Sequence, residues 1–136
     1  MSAVRDSPQT GEKPARLVIL IVDDEPLILW FLRQALLTRG HAVVAVGTGA
    51  DALNALATNP EPFDVIILDY RLPDRQDLTL LEDVRRAAPE STVFMMTAFA
   101  DDGIRARALA GGVRALVDKP FQVKAFVSLI ESAVSL

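Results

Sequence analysis

The chain has 136 residues, 51% of them apolar, enough for one compact domain with a buried core. Its formal charge of −4 at pH 7 argues against unaided binding to nucleic acid or to an anionic membrane, both of which would repel an acidic surface. Cysteine is absent, which excludes a disulfide framework and a thiolate metal site.

The longest apolar runs, Leu17 to Val22 and Leu27 to Leu32, are too short to span a bilayer and are separated by acidic residues. Residues 1–15 are polar, with Pro8, Gly11 and Pro14 among them, and lack the hydrophobic stretch of a signal peptide. These features predict a cytoplasmic protein with a flexible tail over 1–15 and a single domain over 16–136.

The first predicted strand is the run Leu17 to Val22. A helix follows, with Asp24 as its cap and Pro26 in its first turn; Ile28, Phe31, Leu32, Ala35 and Leu36 form its core face and Gly40 ends it. His41 opens the second strand, Ala42 to Val46, and is assigned no chemistry; Gly47 and Thr48 end that strand without a notable group. Helix Ala50 to Thr58 stops at Pro60, strand Val65 to Leu68 comes next, and helix Leu78 to Ala88 stops at Pro89. Strand Val93 to Met96 precedes a helix over Asp102 to Ala110 that tolerates Gly103 and ends at the Gly111-Gly112 pair. The last strand is Ala115 to Val117, and the last helix, from about Gln122 to Ser135, aligns Val123, Phe126, Val127, Ile130 and Val134 on one side.

None of the five strands alternates apolar with polar residues, as a half-exposed strand would. Continuous Val, Ile and Leu runs suit a parallel sheet covered by helices on both faces. The fold class is therefore α/β, a three-layer sandwich whose ligands bind beyond the carboxyl ends of the strands.

Four of those ends carry reactive or charged residues: Asp23 and Asp24 after the first strand, Asp69 after the third, Thr97 after the fourth and Lys119 after the fifth. Singly, each has an ordinary use as a helix cap, turn former, loop hydroxyl or solvated charge. Gathered on one rim, three carboxylates around one lysine would repel one another unless a hard divalent cation joined them. A sparse oxygen set with open positions suits magnesium, whereas calcium asks for a denser cage. With such a cation one carboxylate can attack phosphorus, while lysine and threonine stabilise charge on the phosphoryl oxygens.

Four stretches in order, Ile19-Leu20-Ile21-Val22-Asp23-Asp24-Glu25-Pro26, Val65-Ile66-Ile67-Leu68-Asp69-Tyr70-Arg71-Leu72-Pro73, Met95-Met96-Thr97-Ala98 and Asp118-Lys119-Pro120-Phe121, resemble the response-regulator receiver family of two-component signalling, the CheY-like superfamily. The resemblance runs from Leu17 to Leu136. It implies a five-stranded (βα)5 flavodoxin-like sheet of order 2-1-3-4-5. It further implies that Asp69 is the phosphoacceptor and that Mg2+ is held by Asp24, Asp69 and the backbone carbonyl of Arg71, with Asp23 assisting through water. Thr97 would be the switch hydroxyl and Lys119 the partner of the phosphoryl group, with a cis bond before Pro120. Small Ala98 would leave the site open, and Arg71 and Phe99 would tune the lifetime of the phosphorylated state. The implied partners are a sensor histidine kinase or a histidine phosphotransfer protein, and the chain would be a signalling switch rather than an enzyme.

Two positions depart from the family pattern. Leu116 stands at the switch position, where receivers usually place Tyr or Phe, and Asp77 stands where Gly is usual; Asp tolerates left-handed backbone better than most residues. On the first helix Trp30, Arg33 and Leu37 fall on the outer side and are candidates for partner docking. By family resemblance the output face is the fourth helix, fifth strand and fifth helix, where Arg105, Arg107 and Arg114 would meet an acidic partner or a second copy. Output is expected through protein contacts or self-association, whether the receiver stands alone or belongs to a multidomain regulator.

Three other readings compete. A receiver-like fold could have ceased to use phosphorylation. A haloacid-dehalogenase-type phosphatase needs a second acid two residues after its nucleophile, where Arg71 stands here. A flavin-binding module needs a hydroxyl- or glycine-rich phosphate loop, and Asp23-Asp24-Glu25 would repel that phosphate.

Overall fold

The computed structural model describes residues 15–98 and 100–134. Residues 1–14 of the tail expected over 1–15, Phe99 and the end of the last predicted helix at Ser135 lie outside the described residues.

Ten elements alternate along the chain: β1 (Val18–Val22), α1 (Pro26–Thr38), β2 (Ala42–Val46), α2 (Gly49–Thr58), β3 (Val65–Asp69), α3 (Thr79–Ala87), β4 (Thr92–Thr97), α4 (Asp102–Ala110), β5 (Ala115–Asp118) and α5 (Val123–Val134). All strand pairs are parallel, in the order β2-β1-β3-β4-β5. This is the five-stranded flavodoxin-like arrangement expected above. Val22 lies opposite Leu68, Leu68 opposite Met95 and Thr97 opposite Asp118, so four carboxyl ends finish level at one rim.

The unbroken apolar runs divide between two cores. In β1, β3 and β4, Leu20, Val22, Ile66, Leu68, Val93 and Met95 face the core built with α2, α3 and α4. Their alternate neighbours Ile19, Ile21, Val65, Ile67, Phe94 and Met96 face the core built with α1 and α5. Both faces of a central strand are thus covered, which removes any reason for polar alternation.

Helix α1 departs from its sequence reading at two places. Its N-cap is Glu25 and no side chain caps it, so Asp24 does not serve as the expected cap. Instead Asp23 Oδ1 accepts a hydrogen bond from Glu25 N–H at 2.9 Å, and Asp24 turns toward the other carboxylates of the rim. Phe31, expected on the core face, is 52% exposed. Leu32 and Leu36 carry that face, flanked by Ile28, Leu29 and Ala35. Phe31 precedes Leu32 by about 100° of helix rotation, meets Trp30 edge-on and lines a cleft with Pro120 and Phe121.

Helix α1 ends as Gly40 permits. Its φ of +93° is open to glycine without strain, and Gly40 N–H and His41 N–H donate back to Leu37 and Leu36 carbonyls. The same closure recurs at Gly112 after α4, so the glycine pair stops that helix while Asp101 caps its start. Helix α2 is capped twice. Thr48 Oγ1 accepts from Asp51 N–H, and Asp74, from the loop after β3, accepts from Gly49 and Ala50 N–H at 2.9 and 3.0 Å.

The end of the sheet opposite the rim holds a buried polar joint. His41 precedes β2 and is buried; its Nδ1 accepts from Leu17 N–H at 3.0 Å, which places the ring proton on Nε2, 2.7 Å from Glu131 Oε2. Arg39 closes the other side of Glu131 with two bonds, at 2.8 and 3.1 Å.

Candidate functional site

The site forms because three neighbouring strands stop at the same level. Asp23 follows β1, Asp69 is the last residue of β3 and Thr97 is the last residue of β4; all three are buried. Lys119 follows β5, fixed by its N–H donating to Thr97 C=O at 2.8 Å, and the Lys119-Pro120 bond is cis. Carboxylate oxygens of Asp23, Asp24 and Asp69 lie within 4.8 Å of one another. Asp69 and Lys119 open onto a cleft of about 280 Å³, also lined by Asp24, Glu25, Arg71 and Ala98.

The Lys119 ammonium meets three acids: Glu25 at 2.5 Å, Asp69 at 3.0 Å and Asp23 at 3.1 Å. Burial pushes the lysine pKa down, but the contacts with Glu25, Asp69 and Asp23 outweigh it and hold the group charged well above its ordinary range. For Asp69, burial is the largest influence and raises the pKa; Lys119 opposes it, and the neighbouring charge of Asp23 adds to the rise, leaving the carboxyl at about 6. Arg71 N–H donates to Asp69 Oδ1 at 3.3 Å, which opposes that rise weakly.

Three carboxylates therefore share one ammonium, with Asp24 beside them, and among the described residues Asp23 Oδ2 is buried with no hydrogen bond, only its 3.1 Å ion pair to Lys119. A fully buried anionic oxygen held by an ion pair alone is costly in a native fold. A hard divalent cation, which prefers oxygen ligands, would satisfy that oxygen and offset the excess charge. The residues present fit such an ion.

The structure thus gathers Asp23, Asp24, Asp69, Thr97 and Lys119, with Arg71 beside them, as the strand-end reading expects. Leu116 lies on β5 opposite Met95, half-buried against the core on the α2, α3 and α4 side. Trp30, Arg33 and Leu37 stand apart, exposed on α1. Arg105 pairs with Asp118 at 3.2 Å, and Arg107 bonds to the Gly103 carbonyl within its own helix. Asp77 uses its side chain, accepting from Thr79 N–H and Oγ1–H at the start of α3. Glu25 was assigned no role from sequence. Its signal was its position, directly after the acid pair.

The family model for the response regulator receiver domain matches residues 19–131. The transcriptional regulatory protein KdpE of Mycobacterium tuberculosis is 39% identical over 119 residues, covering 86% of this chain and 50% of that protein. The DNA-binding transcriptional regulator NtrC of Escherichia coli is 33% identical over 120 residues, covering 88% of this chain and 25% of that protein. The chain thus spans half or less of the length of these relatives. Among solved structures, the non-phosphorylated HemR receiver domain of Leptospira biflexa superposes with a TM-score of 0.80 at 29% identity, over 89% of this chain and 96% of that one. A family match across the whole sheet, joined to an acidic rim built from its strand ends, makes this chain a receiver domain of the response-regulator family.

Proposed function

We propose that Asp69 is the phosphoacceptor of this receiver and takes its phosphoryl group from a phosphohistidine, on a sensor histidine kinase or a histidine phosphotransfer protein. The observation that carries this reading is the placement of Asp69 at the open rim between two further carboxylates and Lys119. A carboxylate oxygen of Asp69 attacks phosphorus, an O–P bond forms, the donor's N–P bond breaks and the imidazole leaves with the electron pair. Lys119 donates to a phosphoryl oxygen, and the Thr97 hydroxyl donates to another. Asp23, Asp24, Asp69 and the backbone carbonyl of Arg71 would hold Mg2+. When bound, the ion supplies positive charge beside the phosphoryl oxygens.

In this reading residues 16–136 are the switch domain and residues 1–15 a tail. The chain promotes only its own phosphorylation and dephosphorylation, and its output is a changed protein contact or self-association. With Leu116 at the switch position, the change travels through Thr97 and loop movement, or through a changed dimer contact, rather than through an aromatic swing. Trp30, Arg33 and Leu37 are the docking candidates for the kinase. Trp30→Ala is expected to slow transfer from the cognate kinase while leaving the rate with a small phosphodonor unchanged; equal slowing of both refutes the docking role.

Intact mass after incubation with magnesium and a small phosphodonor tests the central claim. A phosphoryl adduct on the wild type that is lost in Asp69→Ala supports it. No adduct on either, with no magnesium binding, would mean a receiver fold that does not signal by phosphorylation.

A further inference from the structure

We propose that Glu25 is a positioning residue for Lys119: it holds the ammonium at the rim of the unphosphorylated site and gives up its place to an incoming phosphoryl oxygen. This rests on Asp69 being the phosphoacceptor.

An ammonium has three protons to donate. Around Lys119 hydrogen bonds to Glu25 at 2.5 Å and Asp69 at 3.0 Å claim two of them, and the third side of the ammonium faces Asp23 Oδ2 in an ion pair at 3.1 Å. A phosphoryl group on Asp69 brings oxygens that need a donor and sets more negative charge beside the ammonium, so the partner freest to move gives way.

The three are not equally free to do so. Asp23 and Asp69 are buried, and each is tied at its Oδ1, to Glu25 N–H at 2.9 Å and to Arg71 N–H at 3.3 Å. Glu25 has a side chain 55% exposed to solvent and makes no capping bond to α1, although it stands at the N-cap. Returning its carboxylate to water costs little, as for other exposed ion pairs. Glu25 is therefore the partner that leaves. While it stays, it competes with the phosphoryl oxygens for the same ammonium and repels them.

The test is the affinity for trifluoroberyllate, a tetrahedral mimic of the phosphoryl group, read by 19F NMR at a magnesium concentration shown separately to saturate each variant. Glu25→Gln keeps the size of the side chain and removes its charge. It is expected to tighten binding by about three- to tenfold, the scale of one partly exposed charge pair. Glu25→Ala should do the same, because the effect follows charge and not shape. In a Lys119→Ala background Glu25→Gln should bring no tightening, because the tether then has nothing to hold. Unchanged affinity in Glu25→Gln overturns the proposal, and so does equal tightening with and without Lys119. A folded, magnesium-bound wild type that takes no trifluoroberyllate removes the phosphoacceptor reading itself, and the tether falls with it. Since the Glu25 side chain is exposed and caps nothing, thermal melts of Glu25→Gln and Glu25→Ala should match the wild type.

Discussion

The two ends of the sheet bury ionisable groups in opposite ways. At the far end Glu131 receives two bonds from Arg39 and one from His41, and His41 in turn accepts from Leu17 N–H, so every charged group in the joint has its partner. At the rim three carboxylates crowd one lysine with Asp24 beside them, and among the described residues Asp23 Oδ2 has only an ion pair and no hydrogen bond. A satisfied cluster holds elements together; an unsatisfied one stores affinity for something else. The far end is architecture, and the rim is a site.

The largest effect that would break this contrast is metal linkage. Magnesium at about 100 times its dissociation constant should stabilise the wild type by about 2.7 kcal/mol in chemical denaturation. The gain should shrink to less than half in Asp24→Asn and remain whole in Glu131→Ala. If Glu131→Ala lost it as well, the two ends would not be independent.

Next in size is the far end itself. Glu131→Ala leaves His41 and Arg39 without their acceptor and should cost about 2 kcal/mol, with the yield of phosphoryl adduct unchanged. Burial pushes the Glu131 pKa up, but the bonds from Arg39 and His41 more than reverse this and hold it below the ordinary 4.5. Its contribution is therefore present above that value and lost as pH falls through the folded one, so the penalty of Glu131→Ala should fade in acid.

Asp69 should titrate with the opposite sign. Its pKa rises on folding from 3.8 to about 6, so the protonated form stabilises the fold, and that contribution disappears as pH rises through 6. Asp69→Asn should then be more stable than the metal-free wild type above pH 6, by about 1 kcal/mol once solvent screening at the open rim is allowed for. The gain should decline between pH 6 and pH 4. A gain that grew in acid would contradict the elevated pKa. The smallest effect belongs to Asp74→Ala, which removes the acceptor of two α2 N–H groups and should lower the melting temperature slightly while leaving the adduct yield intact.

Most of the rim was legible in the sequence, because strand ends are where apolar runs stop and Asp23, Asp24, Asp69, Thr97 and Lys119 stand at those stops. The element order was legible for the same reason, since continuous runs have one meaning in a doubly covered sheet. Pairings between distant segments were not. Nothing local marks Asp74 as the cap of α2 or Glu131 as the partner of His41, which lie 25 and 90 residues from their partners. Phe31 was misplaced because helical periodicity gives a face to within about one residue, and an aromatic at its edge satisfies either side. Asp24 was misread as a cap because local propensity cannot weigh a helix start against a carboxylate cluster that only the assembled sheet creates.

The parallel register also sets when the site comes into being. The segments that supply Asp23, Asp69 and Lys119 are far apart in sequence, and β3, β4 and β5 must all be docked before the lysine can reach the acids. Each docking closes a long loop, whose entropy is spent before any contact repays it. A nascent or partly unfolded chain can form the first βαβ unit and still lack a reactive centre. If Asp69 is the phosphoacceptor, an adduct on it would then report that the molecule carrying it has folded to its last strand.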